Sequence, residues 1–193
     1  MEPNRFFGPQ GQLLSETQFS ENTHITTQYY LSGAVYSIQR FSNKVKEGKQ
    51  EFFYENGKIK TLEFYREGRL EGEVALYWPN GTIKRKCPFA AGVRQGLDQM
   101  WNEFGQLLDE GRYERGKSVG AHRRFSQAGQ LLEEIVYLDS HRFNTRRWDE
   151  KGELRVEAIW TDEVHYQERT WDRFQNIWIE KEGLWNGKRL AYC

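Results

Sequence analysis

Four histidines, His24, His122, His141 and His165, and two cysteines, Cys87 and Cys193, are the side chains with which this chain would hold a metal or attack a substrate. A zinc site needs such groups to converge at short regular spacings, and neither CxxC nor HExxH occurs. No metal and no cofactor are therefore expected. A GxSxG elbow, a phosphate-cradling glycine loop and a GxGxxG fingerprint are absent as well. The carboxylates Glu133, Glu134, Glu157, Glu180 and Glu182 would serve as acid and base only if a dry pocket drove their pKa values apart. In a chain of short extended segments they read as a solvated strand face, so the expectation is that the protein is not an enzyme.

Binding chemistry has two candidates. The first is basic: Lys84, Arg85 and Lys86, with Arg123 and Arg124, would meet anionic lipid headgroups if they shared a face. Successive side chains alternate across a strand, however, and 28 Lys+Arg balance 28 Asp+Glu, so nucleic acid is not an expected partner and membrane contact is the lesser reading. The second candidate is aromatic. It becomes visible only once the elements that carry it are found.

Glycines at 33, 57, 81, 105 and 129 recur every 24 residues, with Gly11 and Gly152 continuing the series and Gln175 closing it. Four residues before each anchor stands a ring: Phe7, Tyr29, Phe53, Tyr77, Trp101, Phe125, Trp148 and Trp171. Two residues after it stands an aliphatic, and eight after it a third ring in seven units (Phe19, Phe41, Tyr65, Phe89, Tyr113, Tyr137 and Trp160). The offsets −4, +2 and +8 are all even, which predicts one shared face of an extended chain. Asn56-Gly57 and Asn80-Gly81 predict type I′ hairpin turns, and a second glycine pair (Gly68/Gly72, Gly92/Gly96, Gly116/Gly120) punctuates the connections. A lone hairpin cannot bury its rings, so neighbours must stack. The fold class that follows is all-β, an elongated single-layer array of about eight stacked hairpins. It forms one repeat domain over 1–193, with units anchored at 11, 33, 57, 81, 105, 129, 152 and 175. A terminal strand over 187–193, carrying Tyr192, covers the last unit.

Offset −3 reads Tyr30, Tyr54 and Trp78 and then turns polar as Asn102, Ser126, Asp149 and Asp172; offset −5 reads Phe52, Leu76 and Met100 before Arg124 and Arg147. Over residues 30–100 the array is apolar on both faces. Either a coiled array folds over these rings as an internal core, or Tyr30, Phe52, Tyr54, Leu76, Trp78 and Met100 form an exposed stripe that binds another protein.

The segments KQEFFYENGKIKTLEFYREGRLEG and EVALYWPNGTIKRKCPFAAGVRQG resemble the variant MORN repeat: an aromatic pair, Asn-Gly, a Lys-Ile/Leu-Lys strand, a further ring and a closing glycine. The resemblance implies a hairpin-repeat scaffold without catalytic activity. It further implies a bacterial, antitoxin-like or effector component that contacts protein or lies near membranes. Neither a secretory leader nor an apolar run of spanning length is present and no disulfide framework is formed, so the cytoplasm is the expected compartment.

Overall fold

A computed structural model of the chain describes residues 2–184, so the expected terminal strand over 187–193, with Tyr192 and Cys193, lies outside the described residues. Those residues contain strands and turns but no helix. Two compact units are formed, one ending at Gly105 and one starting at Gln106. In the first, twelve strands run from Asn4–Phe7 to Gly96–Trp101; in the second, seven run from Leu107–Glu114 to Ile177–Leu184. Within each unit the strands pair antiparallel with their neighbours in sequence order, which is the hairpin array the 24-residue period requires.

The anchor turn is not the expected type I′. The Gly57 N–H donates to the Tyr54 carbonyl at 2.9 Å and the Tyr54 N–H to the Lys58 carbonyl at 2.8 Å, while Gly57 alone takes positive φ, at 80°. This is a type I turn closed by a left-handed glycine, a G1 bulge. Asn-Gly suits both turns, but here the asparagine stays at negative φ and only the glycine crosses over. A Cβ on Gly57 would meet nothing within 4 Å, so the demand for glycine is conformational rather than spatial. Type I′ geometry occurs instead at the connections, where Glu67-Gly68, Ala91-Gly92 and Arg115-Gly116 each place both central residues at positive φ.

A separate bulge, at Lys60, overturns a second expectation. Phe53 pairs with Ile59, but Phe52 pairs with Thr61, so Lys60 is an extra residue and the alternation inverts beyond it. Cross-strand partners share a face. Offsets −4 and +2 therefore lie together, while the +8 ring lies on the opposite face with −5; Tyr65, for example, pairs with Gly48, in phase with Phe52. The shift recurs at Phe7, Tyr29, Tyr77, Phe125 and Trp148. In the last hairpin, Gln175 cannot supply the left-handed residue cheaply. Asn176 does so at φ 57°, the register stays in phase, and Trp171 faces Trp178 with ring centroids 5.6 Å apart.

A second irregularity follows each type I′ turn. Tyr65 pairs with Leu70 but Leu62 with Ala75, so four residues oppose two. One repeat earlier, the fully buried Gln50 repairs the interrupted ladder: its Oε1 accepts the Arg40 N–H at 2.9 Å and its Nε2 donates to the Arg40 carbonyl at 2.9 Å. Pro88, at the position equivalent to Arg40, has no N–H to satisfy, and the residue equivalent to Gln50 is Asp98, which takes hydrogen bonds from Arg85 and Cys87. Among the described residues only Ala75, Cys87 and Ala158 are buried apolar side chains. A single layer has little interior, and half-buried rows shared between repeats take its place.

Candidate binding surface

The six residues singled out by the sequence all lie in the first unit and are all half-buried. At offset −3 each ring reaches across to the next repeat. The Tyr30 hydroxyl donates to the Phe53 carbonyl at 2.8 Å, the Tyr54 hydroxyl to the Tyr77 carbonyl at 2.7 Å, and the Trp78 Nε1–H to the Trp101 carbonyl at 3.0 Å. The anchor asparagines do the same: Asn56 Nδ2 donates to the Pro79 carbonyl and Asn80 Nδ2 to the Glu103 carbonyl, while each Oδ1 caps its own turn. These side chains tie consecutive hairpins together. In the second unit the −3 residues Ser126, Asp149 and Asp172 accept N–H groups of their own turns.

Offset +3, the bulged residue, covers the −3 ring of its own hairpin. Tyr36 packs edge-on against Tyr30 at 5.2 Å, Lys60 Nζ lies 5.7 Å from the Tyr54 ring centre, and Lys84 Nζ lies 4.3 Å from that of Trp78. Sequence reasoning missed Lys60 as a member of this surface and placed Lys84 with the basic cluster. The only signal was a lysine recurring at the same offset in two units, and its meaning depends on the bulge.

Offset −5 forms a row across the strands. Phe52 pairs with Ser37 and Thr61, Thr61 with Leu76, Leu76 with Arg85, and Arg85 with Met100. Tyr36 touches both Tyr30 and Phe52, so the −3, +3 and −5 positions gather on one face. The face is a stripe of rings and aliphatics crossed by lysines. All strand pairs in extensive contact within the first unit are neighbours in the array, so no second layer of that unit's own strands covers it.

The basic candidates do not assemble into a free cationic patch. Arg85 makes a two-pronged bond to Asp98 at 2.8 and 2.7 Å, Lys86 faces Glu73 at 3.4 Å, Arg123 bonds Glu134 at 2.8 Å, and Arg124 faces Glu133 at 3.3 Å. The carboxylates are equally engaged. Glu134 lies between Arg123 and Arg146, Glu133 between Arg124 and Arg147, and Glu157 between Arg146 and Arg169. The hydrogen bond from Arg146, with the charge of Arg169, holds Glu157 below the usual carboxylate range, the reverse of what a general acid needs. Glu182 accepts from Gln167 at 3.1 Å, and Glu180 pairs in register with Arg169. These charges zip neighbouring strands.

The histidines are spread in the same manner. His24 is stacked on Phe41 at 4.5 Å and packs near Phe19, and His122 lies between Tyr113 and Tyr137 with Nε2 at 2.9 Å from the Arg112 carbonyl. His141 contacts Ser140 and His165 contacts Asp162. No group of three potential metal ligands converges among the described residues.

No curated protein matches the chain. Residues 46–67 and 70–91, the two hairpins that carry Phe52, Tyr54, Lys60, Leu76, Trp78 and Lys84, match the family model described as MORN repeat variant. Over those two hairpins the chain is thus similar to the MORN repeat variant.

Proposed function

We propose that this chain is a non-catalytic scaffold that holds a partner protein on the face formed by Tyr30, Phe52, Tyr54, Leu76, Trp78 and Met100. The observation that carries this reading is the continuous half-buried row on one face of the first unit, rich in the aromatic residue types that dominate protein interfaces and covered by no further layer of that unit's own strands. The polar ends of the −3 residues are spent on the neighbouring repeat, so it is their flanks, with Phe52, Leu76 and Met100, that a partner would touch. Headgroup binding by Lys84, Arg85, Lys86, Arg123 and Arg124 is the weaker reading, because four of those five already face a carboxylate within 3.4 Å. The setting we assign, by resemblance, is a bacterial cytoplasm, with the scaffold serving as an antitoxin or effector component.

Photo-crosslinking in the native cell tests the reading. A benzophenone side chain at position 52 or 76 is expected to capture a protein. The same group at position 64, which is exposed on the opposite face, is expected to capture none. No adduct at 52 and 76, or equal adducts at 64, would overturn it.

A further inference from the structure

Lys60 and Lys84 differ from the carboxylate-paired cations around them, and from Lys58, whose Nζ donates to the Asn80 carbonyl at 2.6 Å. Arg40 and Lys49 contact Glu51, Lys46 faces Glu63, Arg85 holds Asp98 and Lys86 faces Glu73. Lys60 and Lys84 have no carboxylate within ion-pair distance among the described residues and rest on the rings of Tyr54 and Trp78. They occupy equivalent positions in consecutive repeats, so they stand two strands apart, about 9.6 Å. Phe52, Leu76 and Met100 repeat with the same step beside them. The face therefore offers one such cation in each of two consecutive repeats and one apolar contact in each of three, in two parallel rows.

We propose that the occupant of this face is an acidic amphipathic helix laid across the strands, its acids one heptad apart on Lys60 and Lys84 and its apolar residues on Phe52, Leu76 and Met100. Seven residues of helix rise about 10.5 Å, which matches the repeat step to within about 1 Å. A helix also presents a second residue, three or four positions away, beside each heptad position, and so fills both rows at once. An extended strand fits poorly: three residues cover about 10 Å, but side chains three apart point to opposite sides. A polyproline II segment repeats about every 9.3 Å yet turns only one side chain per repeat toward the sheet, leaving one row empty. The inference rests on the reading of this face as a protein-docking surface.

The test uses the full chain and synthetic peptides of about three heptads, followed by calorimetry. One peptide carries Leu and Glu at adjoining heptad positions. The controls are a scramble of the same composition, a peptide with Lys in place of Glu, a polyproline peptide with Glu at every third residue, and phosphatidylserine vesicles. The heptad Glu peptide is expected to bind at least about tenfold more tightly than any control. Lys60→Glu with Lys84→Glu is expected to reverse the preference toward the Lys peptide, a gain that misfolding cannot mimic. Equal binding of the scramble, no change of preference in the double variant, or binding of the polyproline peptide or vesicles in place of the helix would overturn the proposal. Crosslinking at positions 52 and 76 with no peptide binding would overturn the helix while leaving the scaffold reading intact.

Discussion

Replacing Tyr54 by phenylalanine removes one oxygen and leaves the ring, so it isolates the bond from the Tyr54 hydroxyl to the Tyr77 carbonyl at 2.7 Å. The group is half-buried and the acceptor belongs to the next repeat, so the loss falls on the junction between hairpins rather than within either of them. A neutral hydrogen bond of this kind contributes about 1 kcal/mol net. For a chain of this length that lowers the Tm by about 2–4 °C. Tyr30→Phe, which removes the 2.8 Å bond to the Phe53 carbonyl, is expected to do the same. Tyr36→Phe is the control: its ring packs on Tyr30 and Phe52, and its hydroxyl has no hydrogen-bond partner among the described residues. Thermal unfolding followed by tryptophan fluorescence should rank Tyr54→Phe and Tyr30→Phe below wild type and Tyr36→Phe level with it. If all three variants melt together, the −3 hydroxyls do not hold the repeats to one another and the bridging argument fails.

Ala91 takes φ 49° in its type I′ turn, a region costly for any residue with a Cβ, so Ala91→Gly should stabilise the chain by about 0.5–1 kcal/mol; a loss of stability in chemical denaturation would refute the turn assignment. Burial alone would raise the Asp98 carboxyl, but hydrogen bonds from Arg85 and Cys87 and the charges of Arg85 and Arg94 outweigh it and hold the group below its ordinary 3.8. A depressed folded pKa contributes stability that is complete above about pH 4 to 5 and is lost as pH falls through the folded value. Asp98→Asn should therefore cost about 1–3 kcal/mol at pH 7 and flatten the acid limb of the stability curve; an unchanged acid limb would contradict the cluster. Burial, together with the hydrogen bond and charge of Asp98, pushes the Cys87 thiol up to about 11. In a Cys193→Ser background, iodoacetamide should modify Cys87 only as fast as the strand opens, with the rate rising in urea, and mass spectrometry showing free-thiol rates in the native chain would refute this.

The repeat, its hairpins and its all-β class were legible because a ring at −4 and an aliphatic at +2 recur in every unit. The placement of the +8 ring was not, because counting even offsets assumes an unbroken pleat, and Lys60, Lys84 and their equivalents interrupt it. Asn56-Gly57 also misled for a physical reason. Asn-Gly suits a type I′ turn at its two central positions and equally a type I turn whose closing residue is the glycine, and only the hydrogen bonds separate the two. The candidate surface was half legible. Tyr30, Tyr54 and Trp78 stood out by composition, but their bonds to the following repeat depend on register, as does the pairing of Arg85, Lys86, Arg123 and Arg124 with carboxylates on adjacent strands.

Met100 is one of two methionines and lies on the proposed docking face, which makes its oxidation a reporter for that face. Hydroxyl-radical footprinting of the chain in native cells, set against the purified chain, should show Met100 and Leu76 protected in the cell and Phe64 labelled equally in both. Protection of Phe64 with full labelling of Met100 would place the partner on the other face and contradict the account.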